Sequence, residues 1–70
     1  MKIDDLKKLE AYFQKLFGNN TIKVKARPRK DDSAEVFVGE EFIGLVYLDD
    51  EDDELSYNFQ MAILGVDLDP

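Results

Sequence analysis

The chain has 70 residues and a mass of 8.1 kDa, room for one small domain over residues 1–70. Hydrophobic residues make up 44%, which argues against disorder. Cysteine and histidine are both absent, which excludes disulfides, thiolate chemistry, the commonest general base and the commonest metal ligand. The net charge of −7 is divided by position. All nine bases lie in residues 1–30 with three acids, while residues 31–70 hold 13 acids and no base. The two halves are expected to lie side by side in one fold and neutralise each other across strands. No apolar run approaches the roughly 18 residues of a membrane span. Met1-Lys2-Ile3-Asp4-Asp5 turns acidic where a signal peptide turns apolar, so a cytoplasmic protein without a membrane partner is expected.

Residues 4–17 read as an amphipathic helix. Ile3, Leu6, Leu9, Phe13 and Leu16 recur at steps of three and four, with Tyr12 and Phe17 flanking the stripe. Asp4 or Asp5 can cap the N-terminus, and Gly18-Asn19 can end the helix in the left-handed conformation. A first strand follows over about 21–27, where Ile22, Val24 and Ala26 alternate with Lys23, Lys25 and Arg27, and Pro28 ends it. Arg29 to Ser33 reads as a charged loop. Further strands are expected over about 34–38, 42–48 and 55–64, with a tight connection at Gly39-Glu40-Glu41. On the last strand Leu55, Tyr57, Phe59, Met61 and Ile63 share a face. The fold class is α+β, an N-terminal helix on a four-stranded antiparallel meander.

One helix cannot cover both faces of such a sheet. A regular hairpin sets Val36 and Val38 beside Ile43, Leu45 and Tyr47. It leaves Phe37, Phe42, Gly44, Val46 and Leu48 on the opposite face, an assignment that a bulge would break. Phe37, Phe42, Val46 and Leu48 then form an uncovered apolar centre, rimmed by Lys23, Lys25, Arg27, Asn58 and Gln60. This is the pattern of an interface. A domain this short buries only about 60% of its unfolded surface. A homodimer through this face or a sheet edge is therefore the leading expectation, with another protein as the alternative occupant. Val66 and Leu68 could instead cover the face from within the chain.

Two further surfaces carry weaker readings. Lys23, Lys25, Arg27, Arg29 and Lys30 form a basic stripe that, beside Phe37 and Phe42, could bind single-stranded RNA by phosphate contact and stacking. The net charge opposes this, and cross-strand pairing on a solvated surface is the simpler account. Residues 49–54 are six acids in a row, a candidate divalent-cation turn that lacks EF-hand spacing and reads more simply as a solvated connection. The catalytic inventory is thin, and no enzyme activity, cofactor or metal site is expected.

Leu9-Glu10-Ala11-Tyr12, Phe17-Gly18-Asn19 and Arg27-Pro28-Arg29-Lys30-Asp31-Asp32-Ser33-Ala34-Glu35-Val36 carry a resemblance. Gly39-Glu40-Glu41-Phe42-Ile43-Gly44 and Tyr57-Asn58-Phe59-Gln60-Met61-Ala62-Ile63-Leu64 continue it. Together they resemble a short bacterial family known only as a domain of unknown function. The resemblance spans nearly the whole chain. It implies a stand-alone bacterial protein and brings no activity, cofactor or functional residue.

Overall fold

A computed structural model describes residues 1–50 and 54–69. Helix α1 spans Ile3–Phe17. Its N-terminus is closed by Asp5, whose Oδ2 accepts the Lys2 backbone N–H at 3.2 Å. This satisfies one donor that the helix leaves unpaired. The chain then enters an antiparallel sheet of β1 (Ile22–Arg27), β2 (Lys30–Val38), β3 (Glu41–Asp49) and β4 (Ser56–Gln60), in spatial order β1-β2-β3-β4. The expected helix and four-stranded α+β meander are present. A short 3₁₀ turn, Gly65–Leu68, follows β4.

Two boundaries differ by four residues from the sequence reading. The charged stretch after Arg29 is the start of β2, which pairs back as Arg27↔Lys30 across the turn Pro28-Arg29. Its polar alternation hid a strand whose first residues face water on both sides. Arg29 takes φ 101, a conformation rare for a residue with a side chain. Strand β4 ends at Gln60, four residues short of the expected 64, and residues 61–64 leave the ladder.

The core lies between α1 and one face of the sheet. Leu9 and Phe13 meet Ile22 and Val24 of β1, Ala34 and Val36 of β2, and Val46 of β3. Phe13 also packs on the Phe59 ring of β4, with centroids 5.4 Å apart. The helix lies chiefly over β1 and also bonds that strand. Gln14 Nε2 donates to the Ile22 carbonyl at 2.9 Å, and Glu10 Oε1 accepts the Val24 N–H at 3.0 Å. One of the two sheet edges is thereby taken up by helix side chains.

Candidate interaction surface

The face opposite α1 is organised by a break in register. The hairpin turn is the two-residue Gly39-Glu40, with Gly39 at φ 61. Val38 pairs with Glu41 and Phe37 with Phe42, but Val36 pairs with Gly44, so Ile43 is an extra residue on β3. That bulge reverses the alternation beyond it. Val46 is therefore a core residue, 1% exposed, opposite Ala34 and Phe59. Leu48, two residues on, lies on the same helix-side register opposite Tyr57. The expected placement of Val46 and Leu48 on the open face is corrected by this bulge, whereas Phe37 and Phe42 remain there together.

Leu45 and Tyr47 take the vacated positions on the open face, opposite Glu35 and Ser33. The Phe37 and Phe42 rings meet edge to face, 5.6 Å between centroids and 70° between planes. Lys25 Nζ stands 4.9 Å from the Phe37 ring centre. Beside this pair a shallow groove of about 420 Å³ is lined by Phe42, Leu45, Tyr47, Gln60, Ala62 and Leu64, among others. Sequence reasoning missed Leu45 and Tyr47. The signal that could have found them is Gly44, since an isolated glycine inside a strand pattern often marks a bulge.

Of the basic stripe, Lys23, Lys25 and Arg27 share the open face, with Lys25 opposite Glu35 and Lys23 opposite Phe37. Arg27 is half-buried, and its Nη1 donates to the buried Ser33 Oγ at 2.9 Å. Arg29 and Lys30 sit at the exposed hairpin tip, away from the aromatic pair. Of the acidic connection 49–54, residues 51–53 lie outside the described residues, and with them the cation reading. Among the described residues no three carboxylates gather in a group that could hold a metal ion.

On the helix side the sheet is covered unevenly. Because α1 lies over β1, a second apolar groove of about 340 Å³ remains between the helix and β3–β4, lined by Leu9, Tyr12, Phe13, Val46, Tyr57 and Phe59. The segment after β4 adds to the apolar surface. Met61, Ile63, Leu64, Val66 and Leu68 are all exposed. The turn among them is closed by its own backbone, Asp67 N–H to the Leu64 carbonyl at 2.9 Å.

Residues 5–67 match the family model described as "Protein of unknown function (DUF3126)". The chain belongs to this family. No curated protein and no solved structure matches it. Membership in DUF3126 agrees with the resemblance seen along the sequence and carries no activity with it. Among the described residues no helix is long and apolar enough to cross a membrane.

Proposed function

We propose that this protein is a small, non-enzymatic interaction module of the cytoplasm that associates with itself as a homodimer. One observation carries the reading. Among the described residues seven hydrophobic side chains form the buried core, while eleven large hydrophobic side chains are exposed. A single layer of helix on a small sheet gains too little burial to leave that much apolar surface in water without cost. Two surfaces are available for the contact: the open face around Phe37 and Phe42, and the outer edge of β4. The non-enzymatic part is supported by the side-chain inventory. Histidine and cysteine are absent, and Ser33, one of two serines, is buried against Arg27. Light scattering behind size exclusion tests the reading: a dimer supports it, and a monomer at every concentration overturns it.

A second reading is favoured by one arrangement. Lys23 and Lys25 share a face with Phe37, Phe42 and Tyr47, as cations and rings do on single-strand nucleic-acid platforms. Against it stand the net charge of −7 and Glu35 in the middle of the stripe. Binding of single-stranded RNA at low salt that falls steeply as salt rises supports this second reading. Absence of binding at low salt ends it.

A further inference from the structure

We infer that two copies of this chain join edge to edge through β4, antiparallel about a two-fold axis at Asn58, into one continuous sheet. The inference rests on the self-association reading and names its surface. The sheet is open and has two edges. At β1, Glu10 and Gln14 of the helix occupy edge groups at Val24 and Ile22. Among the described residues none of the hydrogen bonds of α1 reaches β4. An unpaired edge is a template for another strand, and proteins that stay monomeric blunt such edges with charge or proline. β4 has neither. Residues 55–66 contain no charged residue and no proline, in a chain that is 36% charged.

The charge pattern selects a second copy at this edge. Each chain carries −7, so two copies repel wherever their acids meet. The twelve residues 55–66 are the longest uncharged stretch in the sequence, which makes this edge the least repulsive line of approach. A two-fold seam is self-complementary: each residue meets its counterpart's partner reciprocally. Centring it on Asn58 pairs the whole of Ser56–Gln60 with itself. On the helix side Tyr57 of one copy then lies opposite Phe59 of the other. This is a cross-strand apolar pair of the kind that holds sheets together. On the open side Ser56 meets Gln60, and Asn58 meets itself. A slip of one residue would set each apolar side chain against a polar one. The pairing also brings the two helix-side grooves together, since Tyr57 and Phe59 form the outer wall of each.

The chain has no cysteine, so a single introduced thiol reports this geometry cleanly. Directly opposed residues in an antiparallel pair have Cα atoms about 4.5–5.5 Å apart. That falls inside the range of about 4.4–6.8 Å that a disulfide spans. Asn58→Cys, at an exposed position, is predicted to oxidise to a covalent dimer with the circular dichroism of the wild type. Phe42→Cys, on the open face, is predicted to stay monomeric on denaturing gels. In a parallel arm, Asn58→Lys with Gln60→Lys is predicted to raise the dimer Kd at least about tenfold by setting like charges across the seam. Cross-linking at position 42 and not at 58 would overturn the edge and leave the self-association reading standing through the open face. Equal cross-linking at both positions would mark collision and also overturn the edge. A wild-type protein that is monomeric throughout would remove the edge and the reading together.

Discussion

Gly44 is the residue on which the geometry of the sheet turns. A Cβ built there would lie 2.3 Å from the Gln60 carbonyl oxygen and 3.0 Å from Met61 Cβ. The oxygen belongs to the backbone of β4, so relief requires moving a strand rather than rotating a side chain. Gly44→Ala is predicted to destabilise the fold by about 1–3 kcal/mol, read as a lower midpoint in urea with an unchanged slope. An unchanged midpoint would show that β4 does not depend on this close approach. The bulge beside Gly44 makes a sharper contrast between neighbours. Val46 lies in the core and Phe42, 51% exposed, lies on the open face. A carboxylate at Val46 would be buried without a partner, at a cost far above the few kcal/mol available to a domain of this size. Val46→Asp is therefore predicted to abolish cooperative unfolding, and Phe42→Asp to leave a folded protein. Thermal melts followed by circular dichroism check both, and a folded Val46→Asp protein would contradict the register.

Among elements, the two sheet edges are treated differently. β1 is tied to the helix through Glu10 and Gln14, which connects the first packing layer to the strand by hydrogen bonds as well as by Leu9 and Phe13. Glu10→Ala is predicted to speed amide exchange of Val24 and to cost about 0.5–1.5 kcal/mol, with β3 amides little changed. Equal acceleration throughout the sheet would mean that the bond only contributes to global stability.

The helix and the meander were legible because their periods are strong: steps of three and four from Leu6 to Leu16, and strict alternation from Ile22 to Arg27. Membership in the family was legible in other stretches, among them Phe17-Gly18-Asn19 and Arg27 to Val36. The start of β2 was hidden because Asp31 and Asp32 are exposed and polar, so no apolar alternation marks them. The end of β4 was overextended because Met61, Ile63 and Leu64 continue an apolar pattern without being buried. The composition of the open face was half legible. Phe37 and Phe42 lie before the bulge and kept their side, whereas Val46 and Leu48 lie after it and lost theirs. Periodicity alone cannot place an inserted residue, and only Gly44 pointed to it.

At the scale of the molecule, shape and charge bear on the same question. The radius of gyration is 12.9 Å, against about 11 Å for a compact chain of this length. The extents of 44 × 23 × 23 Å describe an elongated body. The proposed self-association would give this elongated body, with its small core, uncharged edge and exposed apolar side chains, the burial that one chain alone does not complete. Association through uncharged strand backbone and apolar pairs has a characteristic response to salt. Added salt screens the repulsion between two copies of charge −7 and leaves the seam intact. The dimer Kd is therefore predicted to hold or fall as salt rises. A dimer that dissociates at high salt would place the contact between the basic first half and the acidic second half instead.

The most direct test is the solution mass of the wild-type chain, measured by light scattering behind size exclusion at low and at high salt. The account predicts twice the chain mass of 8.1 kDa at both. A mass of one chain at every concentration and salt would contradict it.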